Sequence, residues 1–241
     1  MRAEEREFFT AMELMKNGDD SLFFKFYRRS PETFDGLHDM VRDRLTKEWA
    51  CLEPILSGER LALTLRYLPP GTLVRDAALS RVGLETARKA IHLTCNVLRE
   101  VLSPVYMKPP TEEEWRDVAS GFGSRWQFPN CLGAVDGKHS THSIVLMAVA
   151  GSQYLFRIID VGAPGRFSDG GIFKSSPIVK RLHQGKLNLP RAAKLPGSDR
   201  VCPHVFVGDE AFQLRPDFMR PLPGTRTEAD GIIFNYRLSR A

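Results

Sequence analysis

The chain has 241 residues, 42% hydrophobic and 26% charged, with 34 Lys and Arg against 29 Asp and Glu, a net charge of +5. That composition fits one large globular domain or two small ones and excludes a fibrous or wholly disordered chain. The longest strictly apolar run, Ile144–Ala150, is too short to span a bilayer, and the MRAEEREFF start predicts no secretory signal. Cys51, Cys95, Cys131 and Cys202 form no CxxC pair, which argues against a disulfide framework or zinc knuckle and suits a reducing compartment.

Residues 1–20 are polar and end in NGDD, so a frayed helix or flexible tail is expected. Ser30-Pro31-Glu32 then reads as a helix start: an N-cap serine, proline at the first helical position and an acid in the first turn. Phe34, Leu37, Val41 and Leu45 continue it as one apolar stripe. A second helix runs from about Ser57 through LALTLRYL to Pro69-Pro70-Gly71. A short helix, TLVRDAAL, is followed by the turn SRVG and a long helix from Leu84 that Ser103-Pro104 should end. Its expected buried face is Leu84, Ala87, Ile91, Cys95, Leu98 and Leu102. Arg88 and Lys89 lie in the early turns of its other face. Short helix, glycine turn and longer basic helix have helix-turn-helix texture, which would place Arg88 and Lys89 against DNA. A plain helical bundle produces the same texture, and Glu85 opposes phosphate contact there.

Pro109-Pro110 marks the hinge to a second half. Thr111-Glu112-Glu113-Glu114 fits a capping box for a helix carrying Trp115 and Val118. The pattern then changes to strands: LGAVDGKH, SIVLMAVAG and YLFRIIDVG. The stretch GAPGRFSDGG reads as a glycine-rich turn, Ser176-Pro177 as the start of a short helix, and HVFVGD as a last strand. The expected organisation is a tail over 1–20, a helical region over 21–108, and an α/β domain with a mixed sheet over 109–241.

The basic excess is local. Residues 60–108 hold eight basic and three acidic residues, and residues 180–200 hold six and one. Two such segments read either as nucleic-acid surfaces or as solvated faces. Asp136 and Asp209 lie in or at the end of apolar strands, where a carboxylate is costly unless paired or bound to a cation. Converging carboxylates suit Mg²⁺, a hard ion that takes oxygen ligands, and phosphodiester cleavage. Alternatively both simply end strands. Lys138, beside Asp136, is either a phosphate contact or a surface lysine. His139 and His142 lack a third soft ligand for a metal. Asp160 and Asp169 read as turn carboxylates.

The segments FPNCLGAVDGKH, SIVLMAVAGSQYLFRIIDVGAPGRFSDGGIFKSSP, VFVGDEAFQLRPDFMRPLPG and FNYRLSRA resemble the PIF/Harbinger transposase group, most closely its transposase-derived nucleases with a DDE endonuclease domain. SPETFDGLHDMV, ERLALTLRYL and CNVLREVLSPVYMKPPTEEEW resemble the region preceding that domain. The resemblance spans roughly residues 20 to 241. It implies an RNase H-like fold, a divalent metal (Mg²⁺ or Mn²⁺) and DNA cleavage, with Asp136 and Asp209 as the first two catalytic acids and metal ligands. It also implies DNA as partner, a separate Myb-like DNA-binding protein, and location in the nucleus, with the cytoplasm as a second site. The chain departs from the pattern in two places. The family usually carries about twenty further residues where His139–His142 here joins two strands. The third acid follows the FNYRLSRA motif, past Ala241, and Glu210 cannot replace it because strand neighbours point to opposite sides. The domain is thus expected to be incomplete at its C-terminal end. Beside the nuclease stands an alternative, a domesticated, non-catalytic DNA- or protein-binding fragment.

Overall fold

The computed structural model describes residues 7–46, 55–68, 82–138, 144–224 and 228–241. The chain divides into two compact units between Tyr106 and Met107.

The first unit is helical. Helix α1 (Glu7–Gly18) occupies much of the stretch expected to be a frayed helix or tail, and α2 (Asp20–Tyr27) follows it. Met12 of α1 is buried, and Asp19 caps α2 by accepting from the Leu22 N–H at 2.9 Å. The N-terminal helix is thus a working part of the core rather than a fringe. α3 (Pro31–Leu45) starts as its sequence predicts, with the Ser30 hydroxyl accepting from the Thr33 N–H. α4 is Ser57–Tyr67 and α5 is Leu84–Tyr106. Phe23, Tyr27, Phe34, Val41, Leu45, Leu61 and Val97 form one core cluster. Ile55, Leu63, Ala87, Ala90 and Ile91 form a second. The buried stripe of α5 is Ala87, Ala90, Ile91, Thr94 and Val97, while Leu84 is half exposed. Thr94 replaces a larger apolar residue in that stripe because its hydroxyl donates to the Ala90 carbonyl at 2.8 Å. α5 also continues past Pro104, which sits in its last turn and costs a single backbone bond there. The TLVRDAAL helix and most of its turn lie outside the described residues.

The second unit opens with α6 (Glu112–Trp126), closed by the expected capping box. The Thr111 hydroxyl accepts from the Glu114 N–H, and the Glu114 carboxylate from the Thr111 N–H. Seven strands follow: β1 (Cys131–Lys138), β2 (Ile144–Ala150), β3 (Phe156–Pro164), β4 (Ala193–Lys194), β5 (Val201–Cys202), β6 (Val205–Val207) and β7 (Phe218–Met219). The main sheet has the order β3-β2-β1-β6-β7. β2 runs antiparallel to its neighbours, and β1, β6 and β7 run parallel. β4 and β5 form a separate hairpin. Helices α7 (Asp169–Ser175) and α8 (Pro177–His183) come between β3 and β4, and α9 (Ala229–Arg240) follows β7. The core joins Trp115 and Phe122 of α6 with Val135, Met147 and Val149 of the sheet and Phe173, Phe212 and Phe218. The stretch SDGG, read as a turn, is instead the start of α7, with Ser168 as its N-cap. No described helix is long and apolar enough to cross a membrane.

Candidate active site

The chain fills the sheet from β1 outward to β3 and then crosses to β6 on the other side of β1. The carboxyl ends of β1 and β6 therefore flank the point where strand order reverses. In open α/β sheets this is where ligands bind, since the departing loops diverge there and leave a crevice.

Asp136 and Asp209 lie at that point. Ala134 pairs with Val207, the last residue of β6; Asp136 stands two residues further along β1 and Asp209 two residues past the end of β6. Both are exposed. Asp136 shares its face of the sheet with Ala148 and Ile159, the residues in line with it across β2 and β3. Its Oδ1 accepts from the Gly137 N–H at 2.8 Å. Asp209 heads a tight turn in which its Oδ1 accepts from the Ala211 N–H at 2.9 Å and its carbonyl from the Phe212 N–H at 3.3 Å. Arg220 fastens that turn by donating to the Glu210 and Phe212 carbonyls, both at 3.1 Å. Phe212 anchors it in an aromatic cluster with Phe173 and Phe218.

Asp169 plays a part that its reading as a turn residue did not anticipate. It opens α7 and lies against Gly137, where a Cβ would stand 2.2 Å from its Oδ1. The next residue, Gly170, lies against the Asp209 turn, and a Cβ there would stand 2.3 Å from the Ala211 carbonyl oxygen. Two glycines thus let the start of α7 wedge between the strand end bearing Asp136 and the turn bearing Asp209. Because adjacent strand residues point to opposite faces, Asp169 supports β1 from the side away from Asp136. The sequence signal was the pairing of a strand glycine with a double glycine, visible only once the partner segment is known.

The remaining candidates are dispersed. Lys138 closes β1, and its side chain lies outside the described residues, as do His139 and His142. Asp160 is on β3 opposite Met147 of β2. Arg88 and Lys89, on α5 of the first unit, are bound to Glu85: Arg88 donates to both carboxylate oxygens at 2.9 and 2.8 Å, and the Lys89 ammonium is 3.7 Å away. Among the described residues, no group of three or more His, Cys, Asp or Glu side chains is placed to hold a metal ion. An apolar cavity of about 670 Å³ lies elsewhere in the second unit, lined by Phe128, Met219, Ile233 and Phe234 and by neither aspartate.

Residues 133–241 match the DDE superfamily endonuclease. The match covers both aspartates and bears out the DDE resemblance read from the sequence. Over 244 aligned residues the chain is 23% identical to an Arabidopsis thaliana protein named Antagonist of Like Heterochromatin Protein 1. That alignment takes in 91% of this chain and 61% of the plant protein, so the chain spans about three fifths of that relative's length. No solved structure matches. The DDE endonuclease superfamily typically uses divalent metals. Asp136 and Asp209, both within the DDE-matched region, offer carboxylate oxygens, the donors that hard divalent cations take.

Proposed function

We propose that the chain is a divalent-metal-dependent DNA nuclease of the DDE type, derived from a Harbinger transposase, with an RNase H-like catalytic domain. The observation that carries this reading is the parallel pairing of Ala134 with Val207, two residues before Asp136 and Asp209 at the carboxyl ends of β1 and β6. A central β1 flanked by an antiparallel β2 and a parallel β6 supports the RNase H-like assignment. Asp136 and Asp209 would hold Mg²⁺ or Mn²⁺. When bound, such an ion activates water for attack on the phosphodiester and stabilises charge on its oxygens. The protein's contribution is placement. Each aspartate has its Oδ1 fixed by a backbone N–H, and Oδ2 takes part in neither of these bonds. Lys138, one residue past Gly137, is a phosphate contact beside Asp136. Arg88 and Lys89 of α5, the other DNA contacts expected from the sequence, are held by Glu85 and join the DNA surface only where that pairing is released. By its resemblance the protein acts in the nucleus, on DNA, with a separate Myb-like DNA-binding protein.

A second reading is a non-catalytic DNA- or protein-binding protein. Two features favour it: the donor set among the described residues is two carboxylates rather than three, and the plant relative is named for opposing another protein.

Titration calorimetry with Mn²⁺ and plasmid nicking separate the two. On the nuclease reading the wild-type chain takes up Mn²⁺, Asp136→Asn and Asp209→Asn each abolish most of the binding heat, and nicking is slow because no group of three carboxylates is placed at the site among the described residues. Equal heats in wild type and both variants would sink the metal-site assignment. Fast nicking abolished by Asp136→Asn would instead reveal a further ligand.

A further inference from the structure

The start of β1 is as basic as its end is acidic. Asn130, just before the strand, has a left-handed backbone with φ 58°. Its Nδ2 donates to the Ala193 carbonyl at 3.2 Å and the Cys202 carbonyl at 3.1 Å. These bonds clamp the β4–β5 hairpin to the start of β1 and hold Lys194 close to α6. On α6, Arg116, Ser120 and Ser124 repeat every four residues and form one stripe. His204, in the link from β5 to β6, closes the other side. Together they line a cavity of about 420 Å³ whose walls also include Gly123, Asn130 and Pro196 but no Asp or Glu.

The two cations have partners off the rim. Arg116 pairs with Glu112, and Lys194 with Asp199 at 2.9 Å. Both pairs are solvent-exposed and single-pronged, with Asp199 99% exposed, so each is weak, and a phosphate that takes hydrogen bonds from both cations and the serine hydroxyls at once displaces them. Burial holds the His204 imidazole below its ordinary pKa, against the pull of the Arg191 and Pro190 carbonyls. The segment beyond is pinned too: Trp115 Nε1 donates to the Leu187 carbonyl at 2.8 Å and Asn188 Nδ2 to the Pro110 carbonyl at 3.4 Å. Its cations are thus presented on a fixed loop.

We propose that this cavity is a phosphate subsite that holds one backbone phosphate of bound DNA, with Arg116 and Lys194 supplying charge and Ser120 and Ser124 supplying hydroxyl donors. It rests on the nuclease reading for the identity of its ligand, and on its own geometry for its chemistry. Lys186, Arg191 and Arg200 are exposed in the same segment, and a run of cations suits a polymer of phosphates better than one free anion. Asp136 lies six positions along the chain from Asn130, about 20 Å of strand. The subsite therefore fixes the position of the duplex from a distance, as phosphate contacts do, and leaves the cleaved bond to the other end.

The test is fluorescence anisotropy of a short labelled duplex in EDTA, across a salt series, with the wild-type chain, Arg116→Gln/Lys194→Gln and the single variant Lys194→Glu, which leaves α6 untouched. The expected result is a roughly tenfold loss of affinity in the double variant and a log–log salt slope shallower by about 0.9, the signature of one phosphate. Unchanged affinity and slope would overturn the proposal, as would a wild-type chain that does not bind the duplex. A thermal shift with inorganic phosphate that the double variant loses, with duplex binding unaltered, would make this a free-anion site and overturn the DNA assignment. Because EDTA removes any metal, the result is independent of Asp136 and Asp209. Failure of the metal titrations leaves it standing, and its failure leaves them standing.

Discussion

Residues 60–108 and residues 180–200 carry the same formal excess of positive charge in sequence, and the structure spends it in opposite ways. In the first, Arg60 is only 6% exposed and its Nε donates to the Ile55 carbonyl at 2.9 Å. Arg66 lies over the Phe26 ring at 4.8 Å, Arg88 and Lys89 are bound to Glu85, and Lys108 is 3.6 Å from Glu114. In the second, Lys194 pairs with Asp199, but Lys186, Arg191 and Arg200 are exposed, and among the described residues none of these three forms an ion pair. The lesson is that counting charges along a segment measures composition and not potential. Burial, ring stacking and neighbours at i+3 and i+4 consume charge that the count still records.

The largest effect expected from this contrast is on stability. Arg60→Ala removes a buried guanidinium and leaves the Ile55 carbonyl without that donor, so urea unfolding should show a loss of about 2–3 kcal/mol. Duplex affinity of the folded variant should stay within about twofold. A strong loss of DNA binding with stability intact would break the contrast, because Arg60 would then be working at a surface.

Next in size is the reverse case. Arg191→Ala/Arg200→Ala should leave unfolding within about 0.5 kcal/mol of wild type. Anisotropy should nevertheless show a salt slope shallower by up to about 1.8, for two phosphates. A slope equal to that of the wild-type chain would show that this loop is solvated rather than bound.

Much of the scaffold was legible because its signals are local. Ser30 with Pro31, and Thr111 with Glu114, announce helix starts through residues within one turn of each other. β1, β2 and β3 are short β-branched runs bounded by turns, and the two aspartates stand out as carboxylates in apolar strands. What was not legible depends on partners far away in sequence. SDGG has the composition of a turn, and becomes a helix start because Gly137 and the Ala211 carbonyl receive it. α9 went unread because only Gly231 and Leu238 of its residues are buried, too few for an apolar stripe. The basic cavity joins α6 with a hairpin and a histidine more than seventy positions later, through the bonds of Asn130. No spacing rule connects them.

The smallest effect tests the contrast most finely. Arg88 holds the Glu85 carboxyl below its ordinary pKa by hydrogen bond and by charge, and Lys89 adds to this. A carboxyl whose folded pKa is depressed contributes stability above its ordinary range and loses it as pH falls through the folded value. At neutral pH the pairing is therefore intact and both cations are engaged. Arg88→Ala/Lys89→Ala in the wild-type background should then change duplex affinity by only a few-fold, since Glu85 already offsets one of the two charges removed. Glu85→Gln should release them, tighten binding a few-fold and steepen the salt slope by about 0.9. Adding Arg88→Ala/Lys89→Ala to Glu85→Gln should cancel that gain, a non-additivity that a double-mutant cycle reads directly. If the Arg88/Lys89 variant alone already weakens binding strongly, α5 meets DNA with its charges uncompensated, and the division between the two basic segments does not hold. If Glu85→Gln changes nothing, α5 is a bundle helix whose polar face meets water alone, and the 180–200 loop carries the contact with nucleic acid.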